Sequence, residues 1–418
     1  MPWTCRSADD WLKRRPSADP SVSDAVAAIL SDVQARGDEA VADWTRRLDR
    51  VDRAGSRVHL AGGLHLISPP LAEALQVAAG RIRAFAEASR PPSAQDGPTA
   101  GGLAVRTIWE PLGRVAVYVP AGRFPLASSL LMGVIPAQVA GVSHIVVLTP
   151  PQAHGEPDPV TLAAAAWLGI REVHAIGGAQ AIAAAAFGTD SLLPVDAVVG
   201  PGSVYVTEAK RQVAHRVRID GLNGPSEVVI WGEPPASPQQ AAQDLLAQAE
   251  HDPQSLALAV SRDRAWLAEV GRIAAALSPG LVSQPGVGGA VAATAQQAVA
   301  FINALAPEHL ELWGPPEAYA AELGAVGATF INCPSPLGDY VAGPNHVLPT
   351  GGQARRQSVL GVEDFLRRRT ETRRVGDASQ LAAAAATLAE AEGLAHHQAA
   401  LGAFAGAVAR RPAAEVAR

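Results

Sequence analysis

The chain has 418 residues, 48% of them apolar, with 34 basic against 40 acidic side chains and a formal net charge of −6. That is enough apolar material for sizeable cores in two or three domains, and the near balance of charge excludes the basic stripe of a nucleic-acid binder. No segment approaches the roughly 20 uncharged apolar residues that span a bilayer, and "MPWTCRSADDWLKRRP" holds no signal-peptide core, so a cytoplasmic protein without nucleic-acid or membrane partners is expected. Its two cysteines, Cys5 and Cys333, are too few for a disulfide framework or a cysteine-ligated zinc site. Any metal must use His, carboxylate or amide ligands.

After a short arm, "SVSDAVAAILSDVQARGDEAVADWTRRLD" and "PLAEALQVAAGRIRAFAEASR" repeat apolar residues every three to four positions and read as helices. "GLAVRTIWEPLGRVAVYVPAG" alternates like a hairpin. Strand–helix units follow: "HIVVLTP" then "PVTLAAAAWLG", "EVHAIGG" then "AQAIAAAAFG", "VDAVVGPG" then "VYVTEAKRQVAH". A second set runs through "SEVVIWG", "SPQQAAQDLLAQAEHD", "SLALAVSRD" and "RAWLAEVGRIAAALS". Such alternation predicts parallel sheets covered by helices, and the alanine-rich stretch from Asp377 predicts one or two long helices as a tail.

Neither a dinucleotide glycine fingerprint nor a P-loop lysine is present. Small-residue loops at strand ends, "YVPAG", "GGAQ" and "VGPGS", are either places where a cofactor meets backbone or ordinary βα turns. In "AQAEHD", Gln248 and His251 lie three apart at a helix end, as a ligand pair or merely a polar terminus. "APEHLEL" offers Glu308 and His309, a proton-transfer pair if buried and otherwise a solvated helix face. "GDYVAGPNHVLP" carries Asp339 and His346 among glycines and prolines that suit neither helix nor strand.

In this order the segments "PLGRVAVYVPAGRFPLASSLLMGVIPAQVAGV", "GGAQAIAA", "GPGSVYVTEAKRQV", "GPSEVVI", "DLLAQAEHD", "APEHLEL", "GDYVAGPNHVLPT" and "EGLAHH" resemble the histidinol dehydrogenase family, over about residues 20 to 400. The resemblance implies NAD and one zinc ion per subunit, held by Gln248, His251 and Asp339 with His397 lent by the partner of a homodimer. It implies Glu308 and His309 as the catalytic pair. Substrate would meet Ser128, Ser226, His346 and Glu392 besides the zinc ligands and His309, and NAD would meet Tyr118, Gln180 and Ser203. The implied reaction is four-electron oxidation of L-histidinol through the aldehyde to L-histidine, reducing two NAD.

The implied architecture is α/β: two Rossmann-like parallel-sheet domains with an N-terminal helical arm and a helical C-terminal tail, in an intertwined homodimer. Expected boundaries are 1–19 for the arm, 20–117 with 226–360 for a larger domain, 118–225 for a smaller inserted one, and 361–418 for the tail. The chain departs from the family's usual residues at Ala116, Ala121 and Ser203 near NAD, and at Asn223 and Ser335 near substrate. Two other readings accordingly stand beside the first: a zinc- and NAD-dependent relative oxidising another small amino alcohol or polyol, and a non-catalytic dimer that binds metal or ligand.

Overall fold

In the computed structural model, which describes residues 3–13, 20–53, 55–60, 62–121 and 126–409, the strand–helix alternation builds two six-stranded sheets. Gly122 of "YVPAG", part of the arm and the end of the tail lie outside the described residues. The chain divides into two compact units, Met1–Arg90 with Leu112–Phe365, and Pro91–Pro111 with Leu366–Arg418; both six-stranded sheets lie in the first.

The first sheet runs Arg57–Val58, Glu172–Ala175, His144–Thr149, Arg114–Tyr118, Ala197–Val199, Arg218–Ile219, parallel except at the Arg57–Val58 edge. The second runs Cys5–Arg6, Val287–Val291, Leu256–Ser261, Glu227–Gly232, His309–Trp313, Ala328–Ile331 and is wholly parallel. In each, the first of five consecutive parallel strands sits centrally and the chain winds outward to both sides. This is the doubly wound arrangement, in which order reverses between the first and fourth strands.

The parallel strands bury both faces, which is why they read as apolar runs and not as alternation. In the second sheet Val229 and Trp231 enter one core with Trp11, Leu310 and Leu312, while Val228 and Ile230 enter the other with Leu245 and Trp266. The arm is thus an edge strand and a short helix, Ala8–Leu12, pinned by Trp11 donating its indole N–H to the Gly289 carbonyl at 3.0 Å.

Helices Pro20–Arg36 and Asp38–Leu48, broken at Gly37, seat Val26, Ile29, Val33 and Val41 in the core of the first sheet. The expected start of the smaller domain, residue 118, falls at the end of strand Arg114–Tyr118 and cuts across this core. Helix Ala127–Ala140 approaches the sheet closely at Gly133, where a Cβ would come within 2.4 Å of Val117.

The hairpin expected over 102–122 is not formed. Arg114–Tyr118 joins the first sheet, whereas Leu103–Pro111 belongs to a separate antiparallel sheet with Ala94–Ala100 and Leu366–Arg374 in the second unit. The hairpin lies earlier, turning at Gly101 and Gly102, whose φ of +54° and +76° suit a tight reversal. Helices Ser379–Ala391 and Ala395–Ala409 follow in that unit, as the composition predicts. Among the described residues no helix is long and apolar enough to cross a membrane.

After strand Ala197–Val199 the loop is clamped. Gly200 donates to Asp220 at 2.7 Å, the Lys210 ammonium donates to Asp220 and, at 3.0 Å, to the Gly200 carbonyl, and Gly200 itself has a φ of +114°. A Cβ there would lie 2.1 Å from the Tyr118 carbonyl oxygen. Gly200→Ala should therefore lower stability by about 2–4 kcal/mol, from backbone strain and overpacking together. Urea unfolding measures it, and a wild-type midpoint would show that the close approach is not required.

Candidate active site

Helix Ala295–Leu305 ends at Ala306 in the left-handed conformation, and the chain turns through Pro307 into the strand His309–Trp313. Glu308 and His309 therefore sit at the amino end of the strand next to the sheet's edge, 6% and 3% exposed, and not on a solvated helix face. The Glu308 carboxylate accepts from the Glu227 amide at 2.8 Å and lies 3.6 Å from His309 Nδ1. His309 Nδ1 is 3.2 Å from the Glu227 carbonyl oxygen, and its Nε2 is 2.9 Å from Asp339 Oδ1. Phe330 stacks on the ring at 5.8 Å between centroids.

Asp339 comes from a π-helical turn, Gly338–Ala342. Gly338 is required there because a Cβ would reach within 2.0 Å of the Phe330 ring. His346 Nδ1 closes the loop on the Asp339 carbonyl oxygen at 2.7 Å, and Asn345 donates to the Met132 carbonyl at 2.7 Å. His346 Nε2 lies 3.3 Å from the Ser129 hydroxyl. With Nδ1 donating to a carbonyl, Nε2 accepts from that hydroxyl. Ser129 stands on helix Ala127–Ala140, which leaves the carboxyl end of the first sheet. The site thus lies where the amino edge of the second sheet meets the carboxyl edge of the first.

Burial would depress His309, but the carboxylates of Asp339 and Glu308 outweigh it and push its pKa well above the ordinary imidazole value. Burial would raise Asp339; the charge and hydrogen bond of His309, with His346 and His251, hold it below the usual carboxylate value. For His346 burial wins, and its pKa falls despite Asp339. Two neighbouring imidazoles are driven apart, one towards the cation and one towards the neutral form.

Behind this cluster Asp244 and Glu311 are buried, 4% and 0% exposed. Asp244 lies one helical turn before Gln248 on helix Pro238–Ala249 and accepts from Gln240 at 2.9 and 3.0 Å. Glu311, two residues beyond His309, accepts from the Ser335 amide at 2.7 Å and the Trp313 indole at 2.8 Å. Burial, then the charge of Glu311 and a hydrogen bond to it, push Asp244 up to about 7. The pair ties together the helix of Gln248, the strand of His309 and the segment leading to Asp339.

Gln248 is buried, and its amide Nε2 has no hydrogen-bond partner; His251 is exposed just past the same helix end. Ser128 and Ser226 are half-buried, next to the more engaged Ser129 and Glu227. Glu392 and His397 belong to the second unit and are exposed there. Among the described residues no group of three or more His, Cys, Asp or Glu side chains is arranged to hold a metal.

At the carboxyl end of the first sheet the buried Tyr118 hydroxyl accepts from the Gly178 amide at 3.2 Å, and burial pushes its pKa up to about 12. Gln180, fully buried, donates to Asp49 at 3.4 Å, while its Oε1 has no partner. Ser203 caps helix Val204–Val213, its hydroxyl accepting from the Val206 amide at 3.5 Å.

Sequence reasoning passed over Ser129, Glu227, Asp49, Asp244 and Glu311. An acid opening an apolar strand, as in "SEVVIWG", and an acid inside one, as in "HLELW", were the available signals.

A family model described as histidinol dehydrogenase matches residues 12–403. The chain belongs to the histidinol dehydrogenase family. A histidinol dehydrogenase of Gluconobacter oxydans is 41% identical over 412 residues, covering 92% of this chain and 93% of that one. One of Caulobacter vibrioides is 39% identical over 404 residues, covering 93% of each. The crystal structure of histidinol dehydrogenase from Elizabethkingia anophelis matches with a TM-score of 0.88 at 30% identity over 96% of both chains. An acetylating aldehyde dehydrogenase from Geobacillus thermoglucosidasius, with a TM-score of 0.52 and 11% identity over 87% of this chain and 95% of that one, shares the fold alone. Histidinol dehydrogenase family members are NAD-dependent oxidoreductases of histidine biosynthesis.

Between about pH 4 and 7 the folded protein retains a proton on Asp244, pushed up to about 7, that the unfolded chain releases. Stability should therefore fall as pH rises through that window and level off above it, Asp244 contributing about 1–3 kcal/mol of the loss. Asp244→Asn should flatten this part of the profile and gain on the wild type at pH 8. Urea midpoints of both proteins at pH 5 and 8 measure it; identical pH slopes would show that the pair does not share a proton.

Proposed function

We propose that this chain carries out the zinc- and NAD-dependent four-electron oxidation of L-histidinol, through L-histidinaldehyde, to L-histidine, as a cytoplasmic homodimer. The observation that carries the reading is the cluster of buried Glu308 and His309 with half-buried Asp339, His346 beside it, on the edge that faces the carboxyl end of the first sheet.

His309 is the base. With its Nδ1 proton held on the Glu227 carbonyl oxygen, Nε2 is the atom that takes the substrate's hydroxyl proton as hydride leaves the carbinol carbon for the nicotinamide. An imidazolium paired to Asp339 cannot act so, and once that carboxylate is engaged elsewhere His309 loses its nearest partner and returns towards the range of a base. Glu308 then takes a proton from the water that adds to the aldehyde, and the hydrated carbon gives up the second hydride. His346, held neutral, and Ser128, Ser226 and Glu392 orient the substrate.

Support for zinc comes from the donors. Gln248 offers a buried, unpartnered amide that presents its oxygen when turned over, Asp339 an ionised carboxylate, and His251 an exposed imidazole at the same helix end. His397 of the partner subunit would complete the set. Zinc, when bound, supplies a Lewis acid that anchors the substrate's amine and imidazole. Tyr118, Gln180 and Ser203 would hold NAD, which accepts each hydride.

The purified, zinc-loaded protein should form two NADH per L-histidinol, and a chelator should abolish turnover until zinc is restored. One NADH per histidinol, or turnover only with another alcohol, would overturn the four-electron reading. His309→Gln should keep the fold and zinc content while lowering kcat by about 100-fold or more; a near-wild-type rate would remove it as the base. Subunits carrying His251→Ala and His397→Ala, each inactive alone, should recover activity on mixing, because one site of the heterodimer then holds every ligand.

A further inference from the structure

Doubly wound folds bind a dinucleotide ribose through an acid at the end of the second strand. Here that strand, His144–Thr149, runs into Pro150 and Pro151, and neither carries a carboxylate. A carboxylate nonetheless stands at the same edge. Asp49, at the carboxyl end of helix Asp38–Leu48, places Oδ2 3.4 Å from Gln180 Nε2, in the first turn of the helix that follows the third strand, Glu172–Ala175. Gln180 is fully buried with its Oε1 unsatisfied, which marks this corner as one that lacks a hydrogen-bond donor.

Position decides which end of the cofactor it would meet. Helix Ala127–Ala140, with Ser129 against His346, leaves the first strand, Arg114–Tyr118, on the reacting side. Asp49 stands at the third, two strand spacings or about 10 Å to the side. We propose that Asp49 accepts the ribose hydroxyls at the adenosine end of NAD and so selects against a 2′-phosphorylated dinucleotide.

This rests on the reading of Tyr118, Gln180 and Ser203 as the NAD site. A carboxylate accepts hydrogen bonds from vicinal hydroxyls and repels a phosphate in the same place. Burial alone pushes the Asp49 carboxyl up to about 6, so it stays largely ionised at neutral pH, and among the described residues no ion pair to it is formed.

The test is binding of NADH and of NADPH to the full-length protein, read from quenching of tryptophan fluorescence. The proteins are the wild type, Asp49→Asn, Asp49→Ser and Gln180→Ala, with thermal midpoints as a check on folding. The wild type should prefer NADH by on the order of 100-fold, and both Asp49 variants should narrow this to about tenfold or less, mainly by binding NADPH more tightly. Gln180→Ala should weaken both ligands alike. An unchanged ratio in folded Asp49 variants overturns the proposal and leaves the NAD site standing. The same narrowing in Gln180→Ala also overturns it, since Asp49 would then act only through Gln180. If the wild type binds neither dinucleotide, the NAD reading itself fails and the proposal with it.

Discussion

A buried imidazole held at both nitrogens is the junction on which the site depends. His309 has Asp339 at Nε2 and the Glu227 carbonyl at Nδ1, so a strand, its neighbour and a loop distant in sequence meet on one ring. Such a pair binds weakly against its own desolvation, but removing one partner leaves a buried charge, at a cost of about 3–5 kcal/mol. The arrangement is therefore strongly specified wherever it contributes little net stability. Its chemical value is that a proton at Nε2 can be gained or lost without moving the ring.

The surroundings keep the three contributors in register. Glu227 donates its amide to Glu308, and its carboxylate accepts from the Gly351 amide. The Glu311 carboxylate accepts from the Ser335 amide, and Asp244 stands against it from the helix that carries Gln248. Ser335 is 2% exposed and its backbone amide donates to Glu311, so the segment ahead of Asp339 is anchored through its main chain.

The second unit shows the limit of reading strands by apolar alternation. "LRRRTETRR" has none, yet Leu366–Arg374 pairs along its whole length with Leu103–Pro111. It is held by cross-strand charge: Arg367 and Arg369 reach Glu110 at 3.0 and 2.9 Å, and Arg368 lies over Trp109. The hairpin misreading over 102–122 has the same root, since two consecutive strands joined by a short "PLG" look alike whether they pair together or join different sheets.

From the sequence alone came the α/β class, about half the strands and most of the helices of the two sheets, and, through ordered motifs, Glu308, His309, Asp339 and His346 as candidates. Apolar runs, cap residues and ordered motifs are local properties of the chain, and they are written there. Only the tertiary structure decided that Glu308 and His309 are buried at a strand's amino end and that Ser129, not Ser128, reaches His346. It alone brought Asp49 beside Gln180 and Asp244 against Glu311. The reason is physical: burial, pairing and shifted proton affinity arise from groups 30 to 217 positions apart that meet only when the sheets are built.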